Sequence, residues 1–505
     1  MTTLCNLWML SPLVSPDHNA IYHWSGRVSA LFLPTVLDFC LFWLLTTLLL
    51  LWAGKSERGR IAAWCGFAVL LPWILLKNWS VMAFWRFPHG FSAIVLSLCL
   101  IVILALVIFW NPAQRPRFER FQRLMSHMLS VAAMIGIFVL CELAWFAWQA
   151  RHLNDPLPLH SIPQTAATSE ENRPPIIWIL LDELSYRQVY DHRFNGLSLP
   201  AFDQLAQESS VFTHVIPAGI MTEIVLPSLM TGQPIDNIRS SANGMLSIHN
   251  PRTNAWTGFD QHGTIFQDAQ SAGYKTGLAG WYNPYCRLLP QVLDSCFWTA
   301  QLTALTTPYR SHFHLADLIY SKTFHLPDAG EDLSLRHLSD YRSLFAAADT
   351  MLEDSSTNLL FLHMPVPHPG GIYHRATGEF ATKNSTYIDN LALADSYLAH
   401  VRSLLERDGR WNSSTVIIMG DHSWRTKLLW TANPDWTQEE QIASDGGQFD
   451  DRPGYIVKLP GQHTGARIDT PFAATNTRQL MDEIIYQKIQ SPEQLSAWVT
   501  SVRPR

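Results

Sequence analysis

Four apolar blocks, at residues 31–53, 61–76, 92–110 and 128–148, dominate the first third of the chain. A helix needs about 20 apolar residues to cross the hydrocarbon core of a bilayer. A lone segment in lipid must also satisfy its own backbone amides, which a helix does. Three of the blocks meet that length. The second is short, and either borrows from residues 78–85 or forms a re-entrant helix. The blocks predict an N-terminal bundle of about four transmembrane helices within residues 1–150. Residues 1–26 lack the basic start and short apolar core of a signal peptide.

Charge predicts the orientation. The first connection holds Lys55, Arg58 and Arg60, and the third holds Arg115, Arg117, Arg120 and Arg123. The second holds only Lys77 and Arg86, and the N-terminal tail only Arg27. Positive connections stay in the cytoplasm. Everything after residue 148 is then expected outside, which is the periplasm for an inner-membrane protein of a Gram-negative bacterium. Asp38 and Glu142 would lie about seven residues, or roughly 10 Å, below the outer surface. They either line a headgroup notch or make helix-packing contacts.

The composition, 48 % hydrophobic and 15 % charged, averages over two unlike parts. A net charge of −6 without a basic stripe argues against a nucleic-acid partner. Residues 151–175 contain five prolines and the polar run "QTAATSEENRPP", which predicts a linker. A globular domain over 176–490 and a tail over 491–505 follow. Five cysteines (Cys5, Cys40, Cys65, Cys99 and Cys141) fall in the tail or the apolar blocks. Cys286 and Cys296 fall in the outer domain. An oxidising compartment lets them form a disulfide, and two buried thiols are the alternative.

Short apolar runs recur along the outer domain, as expected of strands buried on both faces. They lie at 176–181, 275–280, 358–363, 415–420 and 455–460. Helical stretches at 202–208, 264–272, 338–352 and 387–407 separate several of them. This alternation predicts an α/β domain with a mostly parallel sheet flanked by helices. Asp182 and Glu183 follow the first run, Trp281 and Tyr282 the second, His363 and His368 the third, and Asp421 and His422 the fourth. Ligands bind at the carboxyl ends of such strands.

Asp182, Asp421 and His422 offer the oxygen and nitrogen donors that suit Zn²⁺ or Mn²⁺, with Ca²⁺ an alternative. A threonine hydroxyl is a poor nucleophile until a neighbour lowers its pKa, which a metal ion can do. Thr222 precedes "LPSLMTG", where Pro227 suits the first turn of a helix. A helix start offers free amides to a phosphate. Taken singly, these signals are also strand ends, polar turns and helix caps.

Taken in order, the segments resemble the sulfatase-like branch of the alkaline phosphatase superfamily. The resembling segments are "IIWILLDELS", "AGYKTGLAG", "FLHMPVPHPGG", "VIIMGDHSWR" and "YIVKLPGQ". Membrane-anchored phosphoethanolamine and glycerol-phosphate transferases belong to that branch. The resemblance implies a divalent-metal site from Asp182, Thr222, Asp421 and His422, with Glu183 as an additional ligand. It also implies Thr222 as nucleophile and His368 as a contact to the transferred group. Thr222 stands where sulfatases carry the cysteine that matures to formylglycine. The family's arginine and lysine positions hold Leu226 and Trp281, and "Asp-His-Gly" has become Asp421-His422-Ser423. These departures favour phospho- over sulfo-esters, with Arg425 or Lys427 as substitute cations for substrate binding. The expected function is a metal-dependent hydrolase or transferase whose substrate is a membrane lipid or envelope glycan. A sulfuric ester hydrolase with an unusual nucleophile, or a non-catalytic envelope protein, are the alternatives.

Overall fold

The computed structural model describes residues 22, 28–64, 115–150, 173–241, 245–300, 329–433 and 435–502, and scattered positions from 100 to 111. Helix α1 (Val28–Gly54) covers the first apolar block and α2 (Arg115–Ala150) the fourth. Among the described residues no helix is long and apolar enough to cross a membrane. Most of the second and third blocks, residues 151–172 of the linker, and Cys5, Cys65 and Cys99 lie outside the described residues. Asp38 lies on α1, but its side chain is outside them too, whereas Glu142 is exposed on α2.

Among the described residues, the domain that follows the linker is built on a main sheet of eight strands. They are β1 (Ile176–Leu181), β2 (Ser210–Phe212), β3 (Thr276–Trp281), β4 (Ser295–Thr299), β5 (Leu359–Met364), β6 (Thr415–Gly420), β7 (Tyr455–Lys458) and β8 (Ala466–Ile468). They form one sheet in the order β8-β2-β7-β6-β1-β5-β3-β4. Only β7 runs antiparallel to its neighbours, β6 and β2, so the sheet is mostly parallel. Five of these strands match the apolar runs to within two residues at each end.

The sequence of β1, IIWILL, explains its central place. Side chains alternate across a strand, so an all-apolar run needs a core on each face. Ile177, Ile179 and Leu181 join one core with Leu344, Leu352 and Leu391. Ile176, Trp178 and Leu180 join the other with Leu229, Phe266 and Leu480. Helices α3 (Thr222–Thr231), α4 (Ile265–Ser271) and α5 (Thr477–Ile485) contribute to the second core. Residues beyond 490 also take part: Pro492–Ser501 is helical, and its Leu495 and Val499 are buried in that core.

Register places the chemistry. Leu181 is level with Gly420 on one side and with Met364 on the other. The Asp182 amide donates to the Met364 carbonyl (3.1 Å), so the chain leaves three adjacent strands at one edge. On β3, a Cβ added at Gly280 would sit 2.3 Å from the Tyr285 ring, so the missing side chain makes room for that tyrosine beneath the site.

Trp178 is fully buried against Phe361 (ring centroids 4.5 Å apart). Trp178→Ala should lower the unfolding free energy by about 3–5 kcal/mol, measured by chemical denaturation of the outer domain within the full chain.

Candidate active site

Thr222 is the first residue of α3, and Met221 is its N-cap. The Thr222 hydroxyl does not cap its own helix. It points instead across the sheet edge, where its single proton has two acceptors within reach, Asp421 Oδ2 (2.8 Å) and Asp182 Oδ2 (3.1 Å), with His422 Nε2 at 3.4 Å. Pro227, expected in the first turn, is the sixth residue of α3, because the helix begins earlier than the proline suggested. Its missing N–H leaves one ladder bond unmade. Gly232 ends the helix in the left-handed conformation (φ 69°).

Asp182, Glu183 and Asp421 are all fully buried, and Thr222 and His422 nearly so. Burial and the neighbouring Asp421 push the Asp182 carboxyl well above its usual range, against the pull of His422. Burial acts on Asp421 in the same direction, but there His422, 3.0 Å away, wins and holds the carboxyl low. Burial lowers His422, yet Asp421 leaves it raised overall.

Glu183 takes a left-handed backbone (φ 63°), and its amide donates to Asp421 Oδ1 (3.0 Å). Its own carboxylate is already engaged. It accepts from the Arg425 amide (3.1 Å), from Arg425 Nε (2.8 Å) and Nη2 (2.5 Å), and from Trp430 Nε1 (3.0 Å). Glu183 and Arg425, expected as a metal ligand and a substrate cation, are therefore paired with each other. Lys427 is exposed on the following short helix.

His368 lies at the same edge. Its Nδ1 is 2.7 Å from the Pro369 carbonyl and so must donate, which leaves Nε2 as an acceptor, 3.9 Å from Glu183 Oε1. The rings of Trp281 and Trp430 flank it edge-on, each with its centroid 5.2 Å away. Burial, helped by His337 and Arg425, keeps His368 well below the usual histidine range. Trp281, at the family's lysine position, donates to Asp340 (3.0 Å) and forms a neutral wall.

Among the described residues, two groups of donors could hold a metal: Asp182 with Asp421 and His422, and Asp182 with Glu183 and His368, the donor atoms of each within 4.8 Å of one another. In the first, Asp182 Oδ1 is buried without a hydrogen-bond partner. An unpaired buried carboxylate oxygen calls for a positive charge. The mix of two carboxylates, an imidazole and a hydroxyl suits a divalent cation.

The structure also brings His363 beside Asp182. It was legible only as a strand-end histidine, and its place became visible once β5 lay beside β1. Its Nδ1 meets the Tyr285 hydroxyl (2.7 Å), and its Nε2 lies 3.5 Å from Asp182 Oδ2. The Tyr282 hydroxyl donates to Glu223, the residue after Thr222 (3.1 Å). The outer-domain cysteines, Cys286 and Cys296, form a disulfide just behind this turn.

Arg425→Met removes the partner of a buried carboxylate and should cost about 3–5 kcal/mol, whereas Arg425→Met with Glu183→Met should recover part of that loss. Paired denaturation curves check both. Burial also drops His363 to about 4. The folded state thus resists a proton that the unfolded state accepts near pH 6.5. Metal-free protein should be fully stabilised by this group above that pH, and should lose up to about 3 kcal/mol as pH falls towards 4. His363→Phe should flatten that slope in denaturation series across pH.

No curated protein matches this chain. Several solved structures are similar. Ps i-CgsB in complex with k-i-k-neocarrahexaose has a TM-score of 0.42 and 15% identity, over 66% of this chain and 78% of its own. The phosphonate monoester hydrolase of Agrobacterium radiobacter has a TM-score of 0.38 and 14% identity, over 62% and 74%. The lipoteichoic acid synthase LtaP from Listeria monocytogenes has a TM-score of 0.38 and 14% identity, over 62% and 72%. The family model described as Sulfatase matches residues 174–441, and those residues contain every site residue described above. That span is more than half of the chain, which therefore belongs to the sulfatase family, in the sulfatase-like branch of the alkaline phosphatase superfamily.

Proposed function

We propose that this protein is a membrane-anchored, periplasm-facing, metal-dependent hydrolase or transferase that acts on phospho-esters through Thr222. One observation carries the reading. The Thr222 hydroxyl stands at a helix N-terminus between two buried carboxylates, one of which keeps an unpaired oxygen. Asp182, Asp421, His422 and the Thr222 oxygen would hold the metal. When bound, a divalent ion makes a hydroxyl more acidic and offsets charge that builds on phosphate oxygens.

The chain's own residues account for the remaining steps. The Thr222 proton has acceptors at Asp421 and Asp182. The Thr222 oxygen attacks phosphorus, and the bond to the leaving oxygen breaks with its electron pair on that oxygen, which takes up the released proton. A phospho-Thr222 intermediate results. An acceptor hydroxyl, from water or a sugar, then attacks phosphorus. His368 Nε2, held as an acceptor, receives its proton, and the bond to Thr222 breaks with its electron pair on the Thr222 oxygen, which regains a proton as His368 gives one up. The N-terminal end of α3, with its positive dipole, would favour the phosphate oxygens.

The serine-free, cysteine-free nucleophile position supports phosphate over sulfate. The apolar blocks and the distribution of arginine and lysine support the anchor and its orientation, and with them a lipid or envelope-glycan substrate. Intact mass spectrometry of protein from its native envelope, with metal analysis, tests this reading. Thr222 should carry a phospho-group adduct, and Thr222→Ala should abolish it and reduce turnover by on the order of 10³-fold or more. Release of sulfate with no adduct would point to a sulfuric ester hydrolase. Metal-free protein that still functions as Thr222→Ala would overturn the catalytic reading.

A further inference from the structure

Tyr22 comes from the N-terminal region, yet it is buried in the outer domain with only 2% of its surface exposed. Its ring packs on Ile235, Leu246 and Ile248, beside a small three-stranded sheet (Asn237–Ser240, Leu246–Asn250 and Ala255–Gly258). Its hydroxyl donates to Asn283 Oδ1 (3.0 Å) across 261 positions of sequence. A buried phenol normally finds such a partner.

The partner is not a generic surface amide. Asn283 is itself buried, and its Nδ2 donates to the Thr222 carbonyl (3.5 Å). It follows Tyr282, which holds a left-handed backbone (φ 72°) and grips Glu223 in the same turn of α3. Two consecutive residues thus hold the first turn of the nucleophile's helix from behind. Tyr22 braces the second of them.

We propose that Tyr22 is a positioning residue for Thr222. Its phenol fixes Asn283, Asn283 fixes the Thr222 backbone, and the site is complete only when Tyr22 is seated on the outer domain. The inference rests on Thr222 being the nucleophile, but the seating of Tyr22 can be measured without turnover.

Hydrogen exchange of the full chain in detergent, followed by mass spectrometry, tests the seating. Tyr22→Ala removes ring and hydroxyl, and should speed exchange by about tenfold at both 246–250 and 283–288. Tyr22→Phe keeps the ring. It should leave 246–250 protected but speed exchange at 283–288 and at the amides of Ile224 and Val225. Parent-like exchange of Tyr22→Ala at 246–250 would show that Tyr22 is not seated. Parent-like exchange of Tyr22→Phe at 222–225 would show that its hydroxyl positions nothing. Either result overturns the proposal.

Turnover of bis(p-nitrophenyl) phosphate adds a second readout. Tyr22→Phe should lower kcat by about 5- to 10-fold, the worth of one hydrogen bond, and leave KM unchanged. An unchanged kcat would overturn the positioning role. Thr222→Ala is assayed alongside: if it keeps parental turnover, the nucleophile reading fails, while the exchange data still decide whether Tyr22 is seated.

Discussion

Three carboxylates meet at one edge of the sheet, all fully buried, and the rest of the site follows from how their charge is met. Burying an uncompensated carboxylate is costly enough that each needs its own answer. Glu183 has the Arg425 guanidinium and the Trp430 indole. Asp421 has His422 and the Glu183 amide. Asp182 has the Thr222 hydroxyl on one oxygen and nothing on the other. The arrangement is complete except at the point where a divalent ion would sit, and Thr222 lies there.

Much of this frame was legible in the sequence, for a definite reason. A strand covered on both faces must be apolar throughout, so β1 and β6 stood out as IIWILL and TVIIMG with correct ends. The residue after such a strand must lie at the sheet edge, so Asp182 and Asp421 could be named before their neighbours were known. Helix Tyr387–Arg407 has the expected span, and a capping box of Thr386 with Asp389 closes its start.

What could not be read depends on partners far apart in the chain. Arg425 looked like a substitute cation for substrate, but 242 positions away Glu183 already holds it. His363 gained a role only when β5 was set beside β1. Thr222 taken alone could equally have been a helix cap; the cap position is Met221, and the Thr222 hydroxyl bonds to the carboxylates opposite. Pro227 misplaced the helix start, since proline tolerates the first turn without requiring it.

The Cys286–Cys296 disulfide ties β4 to the turn that carries Asn283 and Tyr285. Behind Thr222, that turn serves as a backrest. Where thiols stay reduced, the backrest lacks its covalent tie, so the rear of the site is finished only where disulfides form. An oxidant that takes two electrons from Cys286 and Cys296 therefore completes the rear of the site as well as closing a loop.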